Sequence, residues 1–261
     1  MKRTRTWNEV KYRKYLAEWR GQGKLEKYVP WVQIQDFPSK GIVSRVKGRT
    51  TGRIHHLMSN LELWYFYLLD WSEKAVDIRE QFPLNEISDA IGIADACGIR
   101  YPYDRASGFP YVLTTDFLVT THNGYVARSI KPVNELQRPR VREKLEIERR
   151  YWAKRGIEWK IVTENEIPRI KARNIEWLYS GSDFMALVSS EDLIQECKEL
   201  FIRMYCHESY AIATITRYIE ESYGFSKGTG MSLFKLLVRD KCIELNLNEL
   251  INLTEPRCGD T

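Results

Sequence analysis

The sequence predicts an α/β protein: a mixed sheet flanked by helices, followed by a mainly helical C-terminal part. Three observations carry this. The middle of the 261-residue chain alternates helix-period and strand-period segments in the order helix, three strands, helix, strand. A content of 43% hydrophobic and 12% aromatic residues is ample for a buried core without disulfide or metal staples. Beyond the break at Gly181-Ser182-Asp183, helical segments dominate.

Residues 7–20 read as a basic helix, with contact to DNA the favoured reading and a merely solvated helix the alternative; Trp7, Val10, Lys14 and Ala17 make no convincing apolar stripe, and Gly21-Gln22-Gly23-Lys24 interrupts the segment. In the segment from Leu57 to Leu69, Met58, Glu62, Tyr65 and Leu69 follow i, i+4, i+7, i+11 spacing, a helix with one carboxylate in its stripe. Ala75 to Pro83 is a strand closed by proline, followed by a long polar loop punctuated by Gly92, Gly98, Pro102, Gly108 and Pro110. Two strands follow, Thr114 to Thr120 and Val126 to Pro132, with Asn123-Gly124 as the tight turn between them. A charged helix from Arg140 to Arg155 is halted by Gly156. The strand Glu158 to Thr163 and a helix from Ile167 to Tyr179, with Pro168 in its first turn, complete this part. Helices over Ala186 to Tyr205, Ala211 to Tyr223 and Met231 to Asp240 come next. Cys242 to Leu247 alternates as a small hairpin or wing. The Gly-rich Gly224 to Gly230 lacks the GKS or GKT of a phosphate loop and reads as a turn before a recognition-like helix.

The formal charge of +5 is unevenly spread. Residues 1–56 hold 14 Lys and Arg against 4 Asp and Glu, a net of +10, so the rest of the chain is acidic. Trp7, Tyr12, Tyr15, Trp19, Tyr28 and Trp31 are interleaved with these cations, a composition suited to phosphate backbones and unstacked bases. Lys11, Arg13, Lys14, Arg20, Lys24 and Arg53 are the candidate DNA contacts. Cys97, Cys197, Cys206, Cys242 and Cys258 are scattered and never spaced as CxxC, which argues against a disulfide framework and a zinc ribbon. No apolar run approaches the roughly 20 residues of a membrane span, and Met1-Lys2-Arg3-Thr4-Arg5 precedes no apolar stretch. The expectation is a protein of a reducing, cytoplasmic compartment near the nucleoid, with no membrane.

Four polar residues stand in segments that read as core: Glu62 on a helix, Asp116 on one strand, Ser129 and Lys131 on the next. Strand alternation puts Ser129 and Lys131 on one face. Buried charges are costly unless they are paired or bind a metal, and two acids with a lysine serve such a site. Glu148 is a further acid, in the stripe Val141, Leu145, Glu148, Trp152; the competing reading is an edge carboxylate bonded to Arg149 or Arg150. His55-His56 reads as a structural or DNA-facing pair on a helix, and Arg79-Glu80 as an ion pair near the site.

These residues resemble the PD-(D/E)xK nuclease superfamily and, more specifically, the TnsA-type transposon endonucleases. The words that carry the resemblance are Gly21-Gln22-Gly23 with Tyr28-Val29-Pro30-Trp31, Thr51-Gly52-Arg53-Ile54-His55-His56-Leu57 with Ser59-Asn60-Leu61-Glu62, and Asp77-Ile78-Arg79-Glu80-Gln81-Phe82-Pro83-Leu84. Thr115-Asp116-Phe117-Leu118-Val119, Lys131-Pro132, Glu143 through Trp152, and Asn174 through Ser180 complete them. The resemblance implies a restriction-endonuclease-like core over residues 1–164 and a winged-helix or helix-turn-helix-like partner-binding domain over 165–261. It further implies a nuclease that cuts the 5′ strands at transposon ends, beside a TnsB-like DDE transposase and a TnsC-like AAA+ ATPase. Glu62, Asp116 and Lys131 would be catalytic. Glu62, Asp116, Ser129, the carbonyl of Ile130 and Glu148 would surround one or two Mg²⁺ ions, with Mn²⁺ as a substitute. Ser129 departs from the family pattern, which has an acid or glutamine two residues before the lysine. It keeps open a weak or inactive DNA-binding adaptor beside the active nuclease, and a stand-alone restriction-type nuclease remains as another enzyme reading.

Overall fold

The computed structural model describes residues 6–36, 43–181 and 183–256. Met1 to Arg5, Ser182 and Cys258 lie outside the described residues. The chain divides into two compact units, Met1–Ile167 and Pro168–Thr261.

The first unit is built on a four-stranded mixed sheet. Strands β3 (Ala75–Pro83), β4 (Thr114–Thr121) and β5 (Gly124–Ile130) pair antiparallel, and β6 (Glu158–Val162) pairs parallel with β5. Gly124 pairs with Thr121 at the start of β5, so the turn tip is His122-Asn123; Gly124, at φ 114°, takes a conformation that side chains disfavour. A parallel neighbour needs a long crossover, and helix α4 (Pro139–Ala153) supplies it between β5 and β6. Leu118, Ala127, Ile147, Tyr151 and Trp152 pack together in the core between sheet and helices.

Helix α3 (Ile87–Ala96) occupies part of the predicted polar loop. Its Ala90 and Ala94, both fully buried, let it lie close against that core, and such small residues give a weak apolar signal in the sequence. A two-stranded antiparallel ribbon, β1 (Ser44–Lys47) and β2 (Ile54–Leu57), precedes helix α2 (Asn60–Trp71). His55 and His56 therefore lie on a strand, not a helix, and His55 is fully buried while His56 is not. The buried face of α2 is Glu62, Leu63, Phe66, Tyr67 and Asp70, not the stripe through Met58, Tyr65 and Leu69. Asp70 is buried because it accepts the backbone N–H groups of Arg49 (2.8 Å) and Thr50 (2.9 Å) in the ribbon loop.

Helix α1 (Glu9–Ala17) is exposed along most of its length, yet the aromatics around it, read from the sequence as available to nucleic acid, are largely buried. Trp7, Tyr15 and Trp31 form a buried aromatic cluster, and Trp7 Nε1 donates to the Pro110 carbonyl at 2.8 Å. Tyr28 is buried as well, its hydroxyl on the Glu80 carbonyl at 3.0 Å. Four of the six interleaved aromatics are thus core residues and unavailable for stacking on bases; Trp19 is 64% exposed.

The second unit is helical: α5 (Arg169–Tyr179), the short α6 (Phe184–Leu187), α7 (Glu191–Ile202), α8 (Ile212–Tyr223) and α9 (Thr229–Arg239). The single helix predicted from Ala186 to Tyr205 is interrupted at residues 188–190, where the Ser190 side chain caps α7, and it ends in a π-helical turn, Arg203–His207. Helix α8 stops at Gly224 in the left-handed conformation (φ 67°), and a short turn leads into α9. Nine of the eleven residues of α9 are buried, so it is the core helix of its unit and not an exposed recognition helix. At Gly230 a Cβ would stand 2.4 Å from the Thr216 carbonyl oxygen, so α8 and α9 approach backbone to backbone. The predicted wing is absent: Cys242 to Leu247 forms no strand among the described residues. This stretch is instead tied down by Asn174 Nδ2, which donates to the carbonyls of Leu247 (2.9 Å) and Glu249 (2.6 Å).

Candidate active site

Three of the predicted residues come together at one end of the sheet. Asp116, on β4, accepts the backbone N–H of Ile130 at 2.6 Å and the Lys131 ammonium at 2.7 Å, both on Oδ2. Lys131 Nζ also donates to the Ile130 carbonyl at 2.9 Å. The ammonium thus bridges a carboxylate and a carbonyl oxygen, and the Lys131 side chain keeps 28% of its surface exposed. Burial alone would lower its pKa, but the charge and hydrogen bond of Asp116, then Glu148 and Glu62, hold it above the ordinary lysine value.

Glu62 enters from the first turn of α2. Ser59 caps that helix: its hydroxyl accepts from Glu62 N (3.2 Å) and donates to Glu62 Oε1 (3.1 Å), while Met58 N donates to Glu62 Oε2 (3.0 Å). This is a variant of the Ser-x-x-Glu capping box of Ser59-Asn60-Leu61-Glu62, the carboxylate taking the N–H of Met58, one residue before the cap. Gln81 Nε2 also donates to Glu62 Oε2, at 3.3 Å. Burial first, then the negative charge of Asp116, raise the Glu62 pKa. Gln81 itself, at φ 48° within β3, is strained for a residue with a side chain, and such outliers concentrate at sites.

Glu148 projects from α4 toward Ser129 on β5. Ser129 Oγ donates to Glu148 Oε1 at 2.5 Å, and Trp159 Nε1, on β6, donates to Ser129 Oγ (2.9 Å) and Glu148 Oε1 (3.1 Å). Burial, then Asp116, push the Glu148 carboxyl up to about 7 against the opposing hydrogen bonds of Ser129 and Thr115. The edge reading of Glu148 fails, because Arg149 and Arg150 both bond Glu146 instead.

Two expected DNA contacts are structural. Arg20 is buried, paired with Asp36 (2.5 Å) and Glu18 (2.8 Å) and stacked on Tyr15. Arg53 is buried against Glu80, Nη1 to Oε1 at 2.8 Å and Nη2 to Oε2 at 2.5 Å. A guanidinium neutralised inside the fold cannot also hold a phosphate. Lys11 lies over the rings of Trp7 and Tyr15, Arg13 pairs with Glu9, Lys14 pairs with Glu18, and Lys24 is exposed. Arg79 and Glu80 point to opposite faces of β3 and do not pair; Arg79 Nε lies 3.4 Å from Asp77 and Glu80 bonds Arg53 and His55.

Sequence reasoning missed Gln81, Thr115 and Trp159. Gln81 and Thr115 lie inside the motif words of the resemblance, whereas Trp159 is distant in sequence and carries no motif.

Among the described residues no three His, Cys, Asp or Glu side chains form a ready-made metal-binding group. The donor chemistry nevertheless fits a hard divalent cation: a carboxylate and a carbonyl oxygen already converge on one positive charge, Lys131, and the charges of two more buried acids, Glu62 and Glu148, act on it. A helix acid, a strand acid and a lysine immediately after the neighbouring strand of a mixed sheet define the restriction-endonuclease-like class of nucleases. Residues 72–164 match the family described as TnsA-like endonuclease N terminal, and residues 166–247 match TnsA endonuclease C terminal. The chain is 36% identical to "Transposon Tn7 transposition protein TnsA" of Escherichia coli over 97% of this chain and 96% of that protein. The chain belongs to the TnsA family of transposon endonucleases, and it is an endodeoxyribonuclease. A divalent-metal requirement is consistent with that membership.

Proposed function

We propose that this endonuclease cuts the 5′ strands at transposon ends with Mg²⁺, Mn²⁺ serving as a substitute, while a TnsB-like DDE transposase cuts the other strand and a TnsC-like AAA+ ATPase regulates both. The observation that carries the reading is the convergence of Asp116 Oδ2 and the Ile130 carbonyl on one cation. Asp116, the Ile130 carbonyl, Glu62 and Glu148 would hold the metal. When bound, such an ion supplies Lewis-acid polarisation of the scissile phosphate and favours ionisation of water. Lys131, released from Asp116, orients the attacking water and stabilises the charge on the phosphate. Asp116 is fixed for this by the Ile130 N–H, and Glu62 by its helix cap, so neither acid needs to reorganise. Ser129, whose hydroxyl is committed to Glu148, contributes through that acid; Glu148 restores the negative charge that serine lacks. This favours an active nuclease over a non-catalytic adaptor.

Lys11, Lys14 and Lys24 with Arg13 are proposed as phosphate contacts of the first unit, which carries the positive excess. Residues 181–261 carry a net charge of −5 and are suited to docking protein partners instead of DNA. The test is strand-specific cleavage of an end-labelled transposon end by the full chain with its partner transposase. Loss of 5′-strand cutting alone in Asp116→Ala supports the proposal; wild-type cutting by that variant with Mg²⁺ overturns it.

A further inference from the structure

We infer that Trp159 is a positioning residue for the acidic shell, its indole N–H holding Ser129 and Glu148 as one hydrogen-bonded unit. This rests on the proposed contribution of Glu148 to the cation site. Parallel pairing places Ala127 opposite Trp159 and Ser129 opposite Ile161, so all four lie on the face of the sheet toward α4. From there the indole reaches two atoms on two different elements, Ser129 Oγ at 2.9 Å and Glu148 Oε1 at 3.1 Å. A tryptophan that merely satisfies its N–H needs one acceptor. Here the donor closes a triangle, because Ser129 Oγ itself donates to Glu148 Oε1.

The triangle fixes which way each group points. Ser129 accepts from Trp159, so its own proton turns to Glu148. Glu148 then has Oε1 doubly engaged, and the rotation of its carboxylate is set. A second indole extends the arrangement: Trp152 Nε1 donates to Thr115 Oγ1 at 2.6 Å, leaving the Thr115 hydroxyl proton for Glu148. Thr115 is the neighbour of Asp116 in the chain. The acid on α4 is thereby tied to β5 and β6 at once by hydrogen bonds and not by packing alone. With a glutamate or glutamine at position 129 the strand itself would present the oxygen; with serine, the indole and hydroxyl aim an oxygen borrowed from the helix.

Groups that orient metal ligands change metal affinity or activity by roughly 10–100-fold when removed. The test uses the full chain without DNA and Ca²⁺ as probe, read by calorimetric titration and by Ca²⁺-dependent thermal stabilisation. Trp159→Phe keeps an aromatic ring and loses the N–H. It is expected to weaken Ca²⁺ binding about 10–100-fold, and in cleavage to raise the half-saturating Mg²⁺ concentration more than it lowers the rate at saturating Mg²⁺. Ser129→Ala opens the same triangle from the other side and carries the test if the phenylalanine variant folds poorly. The double variant is expected to lose no more than the worse single one, since residues in one network couple. Asp116→Ala separates the two ideas. If it abolishes Ca²⁺ binding while Trp159→Phe and Ser129→Ala bind within about twofold of the parent, well short of the expected loss, the positioning role is overturned and the cation site stands. If Asp116→Ala also binds normally, the site assignment itself is wrong.

Discussion

Glu80→Gln isolates the buried network that joins the β1–β2 ribbon to the sheet. Glu80 is fully buried on β3. Its Oε1 accepts from Arg53 Nη1 (2.8 Å) and His56 N (3.1 Å), and its Oε2 from Arg53 Nη2 (2.5 Å), with His55 Nδ1 at 2.8 Å. The glutamine side chain fits the same space but removes the charge and turns an amide donor toward other donors. The Arg53 guanidinium, 7% exposed, is then left without its countercharge. Breaking one partner of a buried pair costs about 3–5 kcal/mol. For a unit of this size that lowers the melting temperature by roughly 6–20 °C. Urea denaturation followed by circular dichroism measures the loss directly. The companion variant Glu80→Met/Arg53→Met is expected to recover much of it, because replacing both charges avoids the unpaired ion. A loss under about 1 kcal/mol in Glu80→Gln would refute the network as a stabilising element. The pH dependence has a fixed sign. Burial alone would raise the Glu80 pKa, but His55 and then Arg53 hold it well below the usual 4.5. A depressed carboxylate stabilises the fold above its unfolded pKa, so this contribution is complete at neutral pH and drains away as the pH falls below about 4.5. A parent protein whose stability is flat on acidification, or a Glu80→Gln variant with the same acid sensitivity, would contradict it.

Asp116→Ala should abolish cleavage while its thermal unfolding shows an intact fold; residual cutting at the parent rate would remove Asp116 from the site. Lys11→Gln with Lys14→Gln and Lys24→Gln should lower the slope of log affinity against log salt by about one for each of these lysines that touches a phosphate, in a DNA-binding titration with the partner transposase. An unchanged slope would assign these lysines to solvent, and Lys198→Gln in the acidic second unit should leave the slope as it is. Glu148→Gln should impair cleavage strongly, with Ser129→Glu in that background restoring part of the rate; strictly additive effects would leave Glu148 a structural acid. Gly230→Ala should destabilise the second unit by about 1–3 kcal/mol, the cost of overpacking, since its methyl meets the Thr216 backbone; unaltered unfolding would show that α8 and α9 can separate freely.

What the sequence reveals depends on how local the information is. Strands β3 to β6 and helix α4 are legible because strongly periodic segments are bounded by Pro83, Gly124 and Gly156. Asp116 and Lys131 stand out as charges inside such segments. Trp7 misleads because its partners lie about a hundred residues away: Ser107 Oγ donates to the Trp7 carbonyl and Trp7 N to Asp104 Oδ2. Composition cannot distinguish a tryptophan stacked on a base from one packed on a loop. Arg20 and Arg53 mislead because each is buried against a carboxylate outside its own segment, Asp36 for Arg20 and Glu80 for Arg53. Cys242 to Leu247 alternates as a strand should, but no neighbouring strand among the described residues pairs with it. Glu148 and Ser129 are each visible as candidates, yet their direct bond and the indole that joins them follow from the α4 crossover and the parallel pairing of β6, which no local pattern encodes.

The capping box at Glu62 has a consequence for how the site can be altered. One carboxylate both closes the first turn of α2 and faces Asp116. Neutralising it disturbs a helix end as well as an electrostatic environment, so a Glu62→Ala protein confounds inactivity with fraying, and its kinetics cannot be interpreted without amide exchange data on residues 58–63. The same double duty restricts natural drift at Ser59: a change that is harmless to an ordinary helix terminus would here let the acid swing, and an innocuous surface position becomes part of the enzyme's tolerance to mutation.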